Sequence, residues 1–184
     1  MLRLGRGLAY KELGRAEDGE KDLRQCLAKD PSLGIAFDAL ATILIHARRY
    51  DESRELAASF RKTSPRDYRG PYFVAAALEG EKQTGEDIEA LLRDSLNLNP
   101  NFAAAWALLG KVLLRSGRVA DAVAPLERAV ALRPDLVAAR MQLAEAYRKL
   151  GRDSDAAREF QAVRELNNKE RQPPPRLQYR RGRL

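Results

Sequence analysis

Four helix-stopping prolines recur at nearly constant spacing. Pro31, Pro65, Pro100 and Pro134 are separated by 34, 35 and 34 residues, and a further 34 lands on Asn168, at the Leu166-Asn167-Asn168 end of the last periodic segment. Proline lacks a backbone donor and restricts the residue before it, so each one ends a helix. A fixed period of this length predicts one supersecondary unit copied along the chain. A single helical hairpin cannot bury its apolar side, so the copies must stack on one another. Such a chain offers surfaces for function in place of an enclosed catalytic pocket.

The copies agree in detail. Trp106-Ala107-Leu108-Leu109-Gly110 opens a segment that runs through Leu113 to Gly117-Arg118; Ala122, Leu126 and Ala129 follow, then Leu132-Arg133-Pro134. The next copy has Leu143-Ala144, Tyr147, Gly151-Arg152, Ala156, Phe160 and Val163. Upstream, Phe37, Leu40-Ala41 and Leu44 precede Tyr50-Asp51-Glu52, Phe60 and Pro65, and the first copy keeps Gly7, Tyr10, Gly14-Arg15, Leu23, Cys26 and Pro31. This pattern resembles the tetratricopeptide repeat, Trp-x-x-Leu-Gly-x-x-Tyr, then Ala-x-x-x-Phe, then Pro. The resemblance implies an all-α fold, an α-solenoid coiled as a right-handed superhelix of about five helix-turn-helix hairpins. The units fall at about 1–33, 34–67, 68–102, 103–136 and 137–168, with the first truncated and a basic, proline-rich, disordered tail over 169–184.

Apolar residues three and four apart share one face of a helix. Small residues such as Ala41, Gly110 and Ala144 admit a close partner, while Trp106, Leu126 and Phe160 fill the space between helices. Gly117 and Gly151 permit the turn within a unit. Asp51 and Asp121 lie where a second helix presents its positive end. The third copy departs most. Its first helix is expected near Pro71, using Val74, Ala75 and Leu78, with a longer loop over Arg66-Asp67-Tyr68-Arg69-Gly70 as the alternative. Its break is displaced to Gly85, and the late arrival of Pro100 implies an extra residue in or near that turn.

Composition excludes several functions. An apolar content of 45% with 32% charge is ordinary for a globular protein. No apolar run approaches the roughly 18 residues of a membrane span, and Met1-Leu2-Arg3-Leu4-Gly5-Arg6 lacks the core of a signal peptide, which makes the cytoplasm the default compartment. One cysteine permits no internal disulfide; Cys26 matches the small, packed position of Ala129. His46 has no second histidine or nearby cysteine for a metal site, and Gly5-Arg6-Gly7 lacks the third glycine of a phosphate loop. No catalytic, metal or cofactor constellation emerges, and the chain reads as a non-enzyme.

Charge is concentrated at the end. Residues 169–184 hold six cations against Glu170, a net +5 that leaves +2 for the preceding 168 residues. Arg171-Gln172-Pro173-Pro174-Pro175-Arg176 through Arg183 has no helical period. It reads as a solvated terminus, with weak nucleic-acid contact or docking by a proline-binding module as alternatives.

By the resemblance, first helices line a concave groove. That groove would expose Asp38, Thr42, Ile45 and His46, then Tyr72, Ala76 and Glu79, then Ala107, Lys111, Leu114 and Arg115, then Met141, Glu145, Arg148 and Lys149. Cations mixed with apolar anchors suit a peptide or helix of acidic character. Heat-shock co-chaperones of this family clamp a carboxylate with Lys and Asn one turn apart. The equivalent pairs here, Asp38/Thr42, Tyr72/Ala76, Ala107/Lys111 and Met141/Glu145, lack that combination. The leading expectation is a protein-interaction scaffold; the alternative is self-association within a larger assembly. Arg164, in place of Val130 one unit earlier, makes the last face wetter, whereas a truncated first unit leaves apolar surface open.

Overall fold

The computed structural model describes residues 2–83 and 86–171. They form ten helices: α1 (Leu2–Glu12), α2 (Ala16–Lys29), α3 (Gly34–His46), α4 (Tyr50–Thr63), α5 (Arg69–Gly80), α6 (Glu86–Leu98), α7 (Ala103–Arg115), α8 (Val119–Leu132), α9 (Val137–Lys149) and α10 (Asp153–Arg171). Each helix packs on the next in sequence, giving five stacked hairpins, an all-α repeat solenoid. Odd helices also approach the following odd helix along their backbones, from α1·α3 to α7·α9, whereas even helices reach one another only through side chains, as Arg24 of α2 does to Glu52 of α4 at 2.8 Å. The odd helices are therefore the closely spaced layer, and the array bends toward them.

Small residues let the two helices of a hairpin close up. A Cβ on Gly110 of α7 would lie 2.4 Å from Leu126 Cγ of α8, so only glycine allows this approach. The turn within every hairpin contains one left-handed residue: Gly14, Arg48, Lys82, Gly117 and Gly151. In the third hairpin that residue is Lys82, and helix α5 has already stopped at Gly80. The break thus precedes Gly85, which lies outside the described residues. Left-handed positions 48, 82 and 117 are 34 and 35 apart, so the extra residue follows Lys82, before α7. Helix α5 starts at Arg69, before Pro71, leaving only residues 64–68 as connection. Pro125 sits inside α8, fully within the buried side, and removes one helical hydrogen bond there.

The core has three parts, the first meeting the second through Leu27 and Leu56 and the second meeting the third through aromatic rings. Leu23, Leu40 and Leu44 unite α2 and α3; Phe37, Phe60 and Phe73 unite α3, α4 and α5; Leu92, Leu109, Leu126 and Leu143 run through the last three hairpins. Phe37 stacks on Phe60 at 3.9 Å and meets Phe73 edge-on at 5.4 Å. The chain of rings continues through Tyr72 (5.0 Å) to Phe102 (4.8 Å) and Tyr68 (4.7 Å). Trp106 Nε1 donates to the Pro100 carbonyl at 2.9 Å. One unit later Arg140 Nε donates to the Pro134 carbonyl at 2.7 Å, so a guanidinium takes over the indole's task. Cys26 is half-buried at the edge of the α2–α3 core.

Arginines staple the second helices. Arg15, Arg49, Arg118 and Arg152 each stand just before an even helix and bind the carboxylate three residues on, Asp18, Glu52, Asp121 and Asp155. Arg49 also reaches Glu20 of α2 at 2.6 Å, and Arg118 reaches Glu89 of α6 at 2.8 Å, tying each hairpin to its predecessor. These acids sit in the first turn, where they also meet the positive helix end. Helix α10 runs past the expected tail boundary to Arg171; the expected disordered segment from Gln172 lies outside the described residues.

Candidate functional site: a cationic concavity on the odd helices

A concavity of about 470 Å³ lies across three consecutive hairpins. Helix α3 and its turn contribute Ile45 and Arg48, α4 contributes Tyr50, α5 and its turn contribute Ala76, Glu79, Gly80 and Lys82, and α7 contributes Lys111 and Arg115. Repeat geometry explains the gathering. Ile45 and Glu79 are equivalent residues 34 apart, as are Arg48 and Lys82, and Ala76 and Lys111 are equivalents 35 apart. Gly80 has no side chain because the Tyr50 ring occupies that space; a Cβ would meet its Cε1 at 2.3 Å.

The floor is an ion triad. Glu79 is buried, 8% exposed, and both carboxylate oxygens are engaged: Arg115 donates to Oε1 at 2.7 Å and Lys111 to Oε2 at 2.8 Å. Arg115 also donates to the main-chain oxygens of Glu79 and Lys82, at 3.2 and 3.1 Å. It thereby caps the carbonyl end of α5, where a cation is favoured. Four cations against one carboxylate leave the lining with a net charge of +3. Arg48 and Lys82 pair with no carboxylate among the described residues.

The other groove positions are distributed. Asp38, Thr42 and Tyr72 lie further along the α3–α5 face and are half-buried. Thr42 Oγ1 donates back to the Asp38 carbonyl at 2.8 Å, and the Tyr72 ring belongs to the aromatic chain. Burial pushes the Asp38 carboxyl above its ordinary range despite nearby Arg69. Burial, with the Asp38 charge, pushes the Tyr72 phenol up to about 12. His46 and Lys149 are exposed at the ends of α3 and α9, outside the concavity, and Leu114 is half-buried against the C-terminal core. Met141, Glu145 and Arg148 line a separate hollow of about 260 Å³ with Gln142 and Phe160. The third-hairpin cation Lys82, the turn cation Arg48 and Tyr50 escaped the sequence reading. The one signal for the two cations was a non-glycine residue at a position where Gly14, Gly117 and Gly151 stand in the other copies.

A tetratricopeptide repeat profile matches residues 4–68, 86–137 and 109–170. The chain belongs to the tetratricopeptide repeat family. Its array is similar to the thermophilic TPR protein TTC0263 of Thermus thermophilus, at 23% identity over 91% of each chain with a TM-score of 0.76. It is also similar to Pseudomonas aeruginosa pilF, at 21% identity over 89% of this chain and 74% of that one, TM-score 0.74. MamA from Desulfovibrio magneticus RS-1 superimposes at 18% identity over 93% and 96%, TM-score 0.67. Likeness at this identity shows the fold alone. No curated protein matches the chain. Family and fold together mark the repeat array as a protein-interaction scaffold. Among the described residues no helix is long and apolar enough to cross a membrane.

Proposed function

We propose that the array is a non-catalytic scaffold that receives a peptide or helix of a partner protein along the odd-helix face. The observation that carries this reading is the concavity across α3, α5 and α7, which combines a cationic rim with apolar Ile45 and Ala76. Half-buried Leu114 and exposed Met141 extend apolar anchor points toward α9. Anchors of this kind dominate peptide recognition, while surrounding charges set orientation and rate. Affinity capture with the full chain, repeated with Arg48→Glu and Arg148→Glu, tests it. Partners held by this face are lost from the second capture; retention of every partner overturns the assignment.

Assembly of the array with its own copies is the second reading. Leu2 (93% exposed) and Leu13 (72%) leave apolar surface at the first hairpin, and Leu150 (41%) does so at the last. Light scattering at tens of micromolar separates the two, because a clean monomer removes self-association.

A further inference from the structure

The five turns differ in a way that packing does not explain. Left-handed backbone is free for glycine but costs other residues on the order of 1–3 kcal/mol. Three hairpins use glycine: Gly14 (φ 71°), Gly117 (75°) and Gly151 (70°). The second and third use Arg48 (φ 60°) and Lys82 (61°), and these are the positive-φ non-glycine residues among those described. Neither belongs to the Asn/Asp class that tolerates this region best. Both carry a positive charge, and both line the same concavity. Strain is retained at the two turns that face this hollow and relieved at the three that do not.

The neighbouring charges sharpen the contrast. Lys111 and Arg115 are committed to Glu79, and Arg115 additionally to the end of α5, so they build the floor. Arg48 and Lys82 are exposed and meet no carboxylate among the described residues. Beside them lie Ile45, Ala76 and the Tyr50 ring. Two strained cations over a part-apolar hollow suit an anion attached to an apolar neighbour.

We propose that this concavity is an acidic-residue subsite, in which Arg48 and Lys82 engage an Asp or Glu carboxylate of the partner segment and Ile45 and Ala76 receive an adjacent apolar side chain. The proposal rests on the groove reading above and gives it a ligand chemistry. The strained turns are the means by which two hairpins aim their cations at one point.

Fluorescence anisotropy of the full chain tests this with three labelled peptide pools of about a dozen residues. One interleaves Glu with Leu and Phe, a second replaces every Glu by Gln, and a third replaces it by Lys. The Glu pool binds at least tenfold tighter than the Gln pool, and the Lys pool binds weakest. Arg48→Gly with Lys82→Gly abolishes the Glu-over-Gln preference while the melting temperature stays level or rises, because glycine removes the backbone strain. Preference retained in that variant overturns the proposal, as does a melting temperature that falls in step with binding, which makes the two residues structural. Binding of Glu and Gln pools alike, lost on Leu114→Asp, overturns the subsite but leaves the groove standing. Binding of no pool overturns both.

Discussion

Gly110→Ala sets two effects of known size against each other. Alanine in a helix interior is favoured over glycine by about 1 kcal/mol. Against this, the new Cβ would lie 2.4 Å from Leu126 Cγ and 2.6 Å from Leu126 Cδ2, where carbon contacts ordinarily sit at about 3.5–4.0 Å. Leu126 is fully buried and has no open space to swing into. Overpacking of this sort costs about 1–3 kcal/mol, so the clash wins and Gly110→Ala destabilises by up to about 2 kcal/mol. Leu126→Ala alone costs about 2–5 kcal/mol through its cavity. In the double variant the methyl group added at position 110 enters part of the vacated volume, so the losses do not add and the pair couples favourably by about 1–3 kcal/mol. Gly5→Ala is the internal control: it lies in α1 with nothing within 4 Å of the added Cβ, and it gains about 0.4–1 kcal/mol. Urea unfolding followed by far-UV circular dichroism reads all four, with slopes compared to confirm that the transition is the same. If Gly110→Ala stabilises as Gly5→Ala does, or if the double variant is additive, the close-approach account of this hairpin is wrong.

Three further outcomes are expected. Phe37→Ala removes a ring that touches both Phe60 and Phe73 and costs about 3–5 kcal/mol, a fall of roughly 6–20 °C in Tm for a chain this size; a loss under about 1 kcal/mol in calorimetry contradicts the packing described. Arg140→Met strips both the Pro134 carbonyl and the Glu159 carboxylate (2.6 Å) of a donor and costs about 1–3 kcal/mol by urea titration, whereas no change shows that water replaces the guanidinium. Asp38→Asn raises stability at pH 7. Its folded carboxyl titrates above the unfolded one because of burial, so ionised Asp38 opposes folding at neutral pH and ceases to do so as pH falls through its folded pKa. The gain therefore shrinks to nothing in acid, and a constant gain across pH 3–7 refutes the burial argument.

The repeat was legible because it rests on local rules. Pro31, Pro65, Pro100 and Pro134 each follow the end of an even helix, and glycines such as Gly117 announce a turn by their backbone freedom. The third hairpin was harder. Its left-handed residue is Lys82, which carries no local turn signal, whereas the next glycine along the chain, Gly85, does. Helix α5 likewise begins before Pro71, since proline fits the first turn of a helix as readily as it blocks an interior. Spacing placed Ile45, Ala76, Glu79, Lys111 and Arg115 on one side of successive helices, and in three dimensions they do share a hollow. What spacing could not give is which charges consume one another. The Glu79 triad joins residues 32 and 36 apart, and the arginine staples from Arg49 and Arg118 cross between hairpins. The Gly117-Arg118 pair was visible in sequence, but the reach of Arg118 to Glu89 in the preceding hairpin is fixed only by stacking.

The run of rings from Phe60 to Phe102 crosses the second and third units, and its members all lie between residues 37 and 102. Terminal units of a solenoid have one neighbour and fray before inner ones. Here the outer units can open and reclose with the interlocked middle left intact, as a keystone course survives the loosening of its end stones. Amide exchange would then be slowest in α3, α4 and α5, which carry the rings and much of the hollow's lining, so breathing at either extremity leaves the shape offered to a visitor unaltered.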